Sequence, residues 1–277
     1  MQAEQLEERT MPYFTSDDTS IYYESRGEGP VLIFVSPPGL GCAAFEQQHP
    51  LADDFQVVTF DPRGNGRSER GNISENIIEQ WTEDIYALAS HLQAGQVTLC
   101  GYSYGGLPSQ LFAYRYPEKT AALIMISSFP RVRTWMLAGK FRLGIWSTYE
   151  NLIGTIGKAL AFSHTSDQEQ QKRIDWNIEN SSPDVLERMY QNGRSQDNRS
   201  LLPAITCPVM TIFGTNDVFV KKNQHDFRTY LPGMHNVHIQ GKAHQLPTRA
   251  AEEMNAIIRK FVAESQSASS SQPAEST

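Results

Sequence analysis

Short β-branched apolar runs alternate along this chain with stretches whose apolar residues recur every three or four positions. That is the pattern of a mostly parallel sheet with helices on both faces. Two leading strands are predicted at residues 11–15 and 20–25, as an antiparallel pair. Three continuous apolar runs then read as buried strands, at 31–36 (VLIFVS), 56–60 (QVVTF) and 96–102 (QVTLCGY). Within 75–92, Ile77, Ile78, Trp81, Ile85, Leu88, Ala89 and Leu92 fall at helical spacing and predict a helix with one core-facing side. A helix over about 105–116, a strand at 121–127, a strand at 209–214 with a helix over 223–231, a strand near 237–240 and a long helix over about 248–263 complete the series.

Two segments break the rhythm. Residues 129–205 lie between two strands expected to be neighbours, contain no strand pattern and hold Trp135, Trp146 and Trp176, so a mostly helical insertion is predicted there. Residues 266–277 are rich in Ser and Ala with no apolar periodicity and are expected to be disordered, because they bury too little to offset their ordering entropy.

Composition narrows the function classes. The chain has 277 residues, with 24 Lys and Arg against 31 Asp and Glu, a net charge of −7, and 39% hydrophobic residues. One large core, or a core with a sizeable insertion, fits that length. A net negative chain lacks the electrostatic footprint of a nucleic-acid or anionic-membrane binder. Residues 1–10 are polar and acidic, without the apolar stretch of a signal peptide, and no run of 18 apolar residues occurs. A flexible N-terminus and a cytoplasmic protein are therefore expected. Cys42, Cys100 and Cys207 are odd in number, widely spaced and set among apolar residues, which reads as free thiols rather than a disulfide or zinc framework.

The most informative motif is Gly101-Tyr102-Ser103-Tyr104-Gly105-Gly106, directly after an apolar strand and before a helix. A G-x-S-x-G in that context is a nucleophile elbow, a sharp turn that exposes the serine hydroxyl above the sheet and needs small neighbours. The helix behind it offers backbone N–H groups to developing negative charge. A serine hydroxyl needs a general base and an orienting acid, which follow such an elbow in the order acid, then His. Asp217 stands just past the strand at 209–214, in GTND, and His244 follows the last strand, in GKAH. The other histidines compete poorly: His49, His91 and His225 fall on helices or loops, His164 lies in the insertion, and His235 and His238 would face opposite sides of a strand. For the acid, the position one strand earlier carries Ser128 and Phe129 and no carboxylate, which leaves Asp217, with Asp226 as a distant second.

The element order, the Asp61-Pro62-Arg63-Gly64-Asn65-Gly66-Arg67-Ser68 segment after a strand, the GYSYGG elbow, GTND and GKAH together resemble an α/β-hydrolase-fold serine hydrolase, over roughly residues 11–263. The resemblance implies an eight-stranded, mostly parallel sheet flanked by helices. Residues 11–128 and 206–265 would form the core, and 129–205 a helical cap inserted after the sixth strand. It also implies a catalytic triad of Ser103, Asp217 and His244, with no cofactor and no metal. A serine at the elbow argues against haloalkane dehalogenases and epoxide hydrolases, which use a carboxylate there. The sequence departs from the family upstream, where Ser36-Pro37-Pro38-Gly39-Leu40-Gly41-Cys42 replaces the usual His-Gly. Proline has no N–H. Matching Pro38-Gly39-Leu40 to His-Gly-x makes the Leu40 N–H one oxyanion donor, with the Tyr104 N–H as the other and the Gly39 N–H as fallback.

In the insertion, Phe129, Trp135 and Trp146 are the candidate substrate-binding aromatics. Arg131, Arg133, Lys140 and Arg142 form a cationic cluster that is either a solvated helix face or an attraction for a carboxylate-bearing substrate. The function implied is hydrolysis of a carboxylic ester or lactone of a small, largely apolar molecule by a monomer or homodimer. The alternatives are a carbon–carbon bond hydrolase, a lyase or cofactor-free haloperoxidase-like activity, and a ligand-binding signalling receptor with slow turnover, the last because the Pro-Gly-Leu-Gly-Cys loop is similar to one in a signalling relative of the fold.

Overall fold

The structure, a computed structural model, describes residues 12–150 and 152–270. Its eight strands are β1 (Tyr13–Ser16), β2 (Thr19–Arg26), β3 (Val31–Val35), β4 (Gln56–Phe60), β5 (Val97–Tyr102), β6 (Thr120–Ile126), β7 (Val209–Gly214) and β8 (His235–Ile239). They form one sheet in the order β1-β2-β4-β3-β5-β6-β7-β8. β1 pairs with β2, and β2 with β4, antiparallel; every later pairing is parallel. β3, β5 and β7 are buried along their whole length, as continuous apolar runs in a doubly covered parallel sheet must be.

Helix α1 (Ile77–His91) turns Ile77, Ile78, Trp81, Ile85, Leu88 and Ala89 into the core, as its spacing predicts. Asn76 caps it reciprocally with Glu79: its side-chain oxygen accepts from the Glu79 N–H at 3.3 Å, and its amide donates to the Glu79 carboxylate at 2.8 Å. Asp84 on the same helix meets Arg63, whose Nε donates to it at 2.8 Å; both side chains are buried, and the pair ties the segment after β4 to α1. Helix α2 (Gly106–Arg115) follows the elbow.

Four helices, α3 (Trp135–Tyr149), α4 (Ile153–His164), α5 (Gln168–Glu179) and α6 (Pro183–Ser195), rise between β6 and β7 as a cap. Backbone and side-chain hydrogen bonds seat it on the body: Asn177 Nδ2 donates to the Gly39 carbonyl at 3.1 Å, Ser182 N–H to the Gly64 carbonyl at 2.7 Å, and Ile77 N–H to Asn192 Oδ1 at 2.8 Å. The chain then passes through α7 (Asn223–Tyr230), the short α8 (Leu246–Arg249) and α9 (Ala251–Ser270).

Boundaries differ from expectation in a few places. β8 begins at His235, earlier than the apolar residues suggest, because an edge strand needs no buried side chains at its start. The expected disorder from 266 onward does not begin there: α9 runs to Ser270, and the Ser265 and Ser267 hydroxyls bond back to the Phe261 and Ala263 carbonyls. Ala, Ser and Gln extend a helix that already has a buried face, and the first strong breaker is Pro273. Residues 1–10 and 271–277, expected to be flexible, lie outside the described residues.

Candidate active site

Ser103 stands at the end of β5 with a left-handed backbone, φ +52°. The flanking glycines are required there. A Cβ on Gly101 would come within 2.6 Å of the Gly106 Cα, and one on Gly105 within 2.1 Å of the Val35 carbonyl oxygen. The turn therefore packs backbone on backbone and throws the serine side chain out above the sheet.

Asp217 lies in the turn after β7 and His244 in the loop after β8. The two loops converge on the elbow. Ser103 Oγ is 2.9 Å from His244 Nε2, and His244 Nδ1 is 2.7 Å from Asp217 Oδ2. The second Asp217 oxygen accepts from the backbone N–H groups of Phe219 at 3.0 Å and Val220 at 3.3 Å, which fixes the carboxylate plane. Assigning the proton to Nδ1 satisfies Asp217 and leaves the Nε2 lone pair facing Ser103. Burial opposes ionisation of Asp217, but the His244 charge, the His244 hydrogen bond and the two amides outweigh it and hold the carboxyl below its ordinary value. Burial, with the nearby Lys140 ammonium, pulls His244 below its ordinary value against the opposing pull of Asp217. Both shifts favour an ionised aspartate beside a neutral imidazole, the form that can accept a proton from the serine. Asp226, the second candidate acid, is instead paired with Arg131 and Arg133.

The loop after β3 forms the opposite wall. The Gly39 N–H donates to Asn65 Oδ1 at 2.7 Å, so it is not free to serve as an oxyanion donor, and the fallback is corrected accordingly. The Leu40 N–H makes only a long turn contact to the Pro37 carbonyl, at 3.3 Å. The Tyr104 N–H lies in the first turn after the elbow, where helix donors have no intrahelical acceptor. The segment after β4 shapes this loop twice over: Asn65 holds Gly39, and buried Asp61 accepts from the Cys42 N–H at 2.8 Å. Gly41, with φ +50°, allows the approach, since a Cβ there would lie 2.0 Å from Asp61 Oδ1.

Over Ser103 the cap closes a cavity of about 130 Å³, walled by Pro37, Pro38 and Leu40 on one side and by Leu137, Phe141, Ile156 and Leu160 on the other. Below the usual range for ligand sites, it suits a small molecule. The three aromatic residues expected to line it do not. On α3 the inward face carries Leu137, Phe141 and Gly144, a helical i, i+4, i+7 row; Trp135 and Trp146 lie off it and are 82% and 49% exposed. Phe129 is fully buried beneath the wall, edge-on to Phe141 at 5.9 Å, with its carbonyl accepting from Gln110 Nε2 at 3.1 Å.

Two cavity residues escape the sequence reasoning or are left open by it. His164, at the end of α4, lies in the wall with Nδ1 at 2.8 Å from the Leu160 carbonyl and Nε2 at 3.3 Å from the Tyr102 hydroxyl. Burial pushes its pKa down to about 4, so it is neutral at pH 7. Nothing in the sequence near His164 signals this, because its position depends on the cap folding back over the elbow. Lys140, one of the cluster read as either a solvated helix face or an attraction for a carboxylate-bearing substrate, is in the cavity wall.

A family model described as the alpha/beta hydrolase fold matches residues 40–241. The chain is 32% identical to 3-oxoadipate enol-lactonase 2 of Acinetobacter baylyi over 43% of its own length and 45% of that protein's, so the match spans less than half of that relative. It is 26% identical to the mouse serine hydrolase BPHL over 87% of this chain and 82% of that one. Among solved structures, an enol-lactonase from Burkholderia xenovorans superposes with a TM-score of 0.79 at 19% identity, covering 91% of this chain and all (100%) of the other.

Proposed function

The chain belongs to the α/β-hydrolase-fold family, and from that premise we propose that it is a serine hydrolase that cleaves a carboxylic ester or lactone of a small substrate through an acyl-enzyme. The observation that carries this reading is the continuous hydrogen-bonded line Asp217–His244–Ser103, opening into a small, mostly apolar cavity. Similarity to an enol-lactonase supports an ester or lactone bond, and similarity to a serine hydrolase supports the nucleophile class.

His244 Nε2 takes the hydroxyl proton as Ser103 Oγ adds to the acyl carbon. The resulting oxyanion is held by the Leu40 and Tyr104 N–H groups. Collapse expels the alkoxide, which takes the proton back from Nε2 and leaves the acyl group on Ser103. Water then repeats the sequence: His244 removes its proton, hydroxide adds to the acyl carbon, and Ser103 Oγ departs with that proton. Asp217 holds the imidazole tautomer and stabilises the transient imidazolium. Each oxyanion donor contributes on the order of 3 kcal/mol to the transition state.

Hydrolysis of p-nitrophenyl esters of rising acyl length by the wild type and by Ser103→Ala tests this. Turnover by the wild type that vanishes in the variant, with a short-chain optimum set by the cavity, is the expected result. Negligible turnover by the folded wild type on esters and lactones alike overturns it.

A further inference from the structure

The cavity is apolar except for Ser103, His244, His164, three tyrosines and one cation. That cation, Lys140, is on α3 beside Leu137 and Phe141, and its Nζ lies 4.0 Å from the centroid of the Phe219 ring. Phe219 in turn stands edge-on to the His244 imidazole at 5.5 Å, so the ammonium is one ring away from the reacting groups. Among the described residues, Lys140 Nζ has no ion-pair or hydrogen-bond acceptor; Phe219 is what it meets. The carboxylate whose charge reaches it is Asp217, and both Asp217 oxygens are already engaged by His244 and by backbone amides.

The other three cations of the cluster are accounted for elsewhere. Arg131 and Arg133 both pair with Asp226, and Arg142 is exposed. Burial pulls the Lys140 ammonium below its ordinary value, with Asp217 opposing. Lys140 is half-buried against an apolar wall, where a cation is costly unless it is paired, and a ring face offsets only part of that cost. Lys140 thus lines the cavity with its ammonium against the Phe219 ring and no carboxylate of its own.

We propose that Lys140 receives a carboxylate carried by the substrate, so that the preferred ester or lactone is anionic, with its charge a short chain away from the scissile bond. This rests on the hydrolase reading above, and its test separates the two. In the first arm, kcat/KM is measured for a carboxylate-bearing ester and its neutral, equally long counterpart, mono-p-nitrophenyl glutarate against p-nitrophenyl pentanoate. The readout is the ratio within one variant, so a general loss of catalysis cancels. The wild type is expected to favour the anionic ester by about tenfold or more, the scale of a charge-assisted hydrogen bond. Lys140→Met loses that preference, Lys140→Arg keeps it, and Lys140→Glu reverses it. If Lys140 only tunes His244, the variants move the pH profile and leave the ratio unchanged, which overturns the proposal.

The second arm does not need turnover. Monomethyl glutarate is titrated calorimetrically into Ser103→Ala and into Ser103→Ala/Lys140→Met. Binding that weakens by about tenfold or more in the double variant is expected; equal affinity, or no binding by either, overturns the anion site. Failure of all esters together with intact Lys140-dependent binding would instead sink the hydrolase reading alone.

Discussion

The Asn65 side chain accepts the Gly39 N–H at 2.7 Å and so fixes the loop after β3 from the segment after β4. A second bond, from Asn65 Nδ2 to the Arg63 carbonyl at 2.9 Å, anchors the asparagine itself. The loop it orients presents Leu40 to the cavity. With proline at positions 37 and 38, that stretch has few donors of its own to define its path.

Asn65→Ala is accordingly expected to lower kcat by roughly 10–100-fold with little change in KM, because a misplaced oxyanion donor costs the transition state and not the ground state. Stability should fall by about 1–3 kcal/mol from the unpaired Gly39 donor. Steady-state kinetics beside urea unfolding would check both, and an effect confined to KM would contradict the assignment.

The pH dependence has a defined sign. Proton abstraction needs neutral His244, and burial with Lys140 lowers its pKa from the ordinary 6.5. The acidic limb of the kcat/KM profile should therefore lie below pH 6.5. Lys140→Met removes one of the two lowering influences and should move that limb upward, while His164, neutral beside it, should leave the limb where it is. A limb at or above pH 7 in the wild type would count against this environment for His244.

His164 also makes stability pH-dependent. Its folded pKa of about 4 lies below the ordinary 6.5, so between those values the unfolded chain binds a proton that the folded chain does not. Its contribution is complete above pH 6.5 and declines as pH falls toward 4, by about 2–3 kcal/mol between pH 7 and pH 4.5. Urea unfolding at those two pH values should show this acid loss in the wild type and a smaller one in His164→Gln.

The aromatic residues of the cap separate by burial. Phe129→Ala should cost about 3–5 kcal/mol, because it empties a site packed beneath Phe141. Trp135→Ala, at an exposed position, should change stability by no more than about 0.5 kcal/mol and leave ester turnover unaltered. Thermal or chemical denaturation of the two variants decides the matter.

The sheet and the elbow were legible in the sequence for a physical reason. Strands buried on both faces must be continuously apolar, and VLIFVS, QVVTF and VMTIFG leave little alternative. The convergence of Asp217 and His244 on Ser103 was legible through chain order, since loops at the ends of neighbouring parallel strands meet above the sheet. The cavity wall was not. Which residues of α3 face inward depends on the rotation of that helix over the body, and α3 is apolar nearly all round, so its tryptophans could be placed on either face. Likewise Gly39 and Leu40 offered equivalent N–H groups until Asn65, from a different loop, engaged one of them.

Ser103 is held at φ +52°, a region that side-chain-bearing residues occupy at a cost of about 1–3 kcal/mol and glycine at almost none. The strain is local, and the packed glycines around it keep it from relaxing. Ser103→Gly should thus yield a chain that is inert yet melts at a higher temperature than the wild type. At this one position durability and the proposed reactivity pull in opposite directions, and a library screened for heat resistance alone would drift toward discarding the proposed nucleophile.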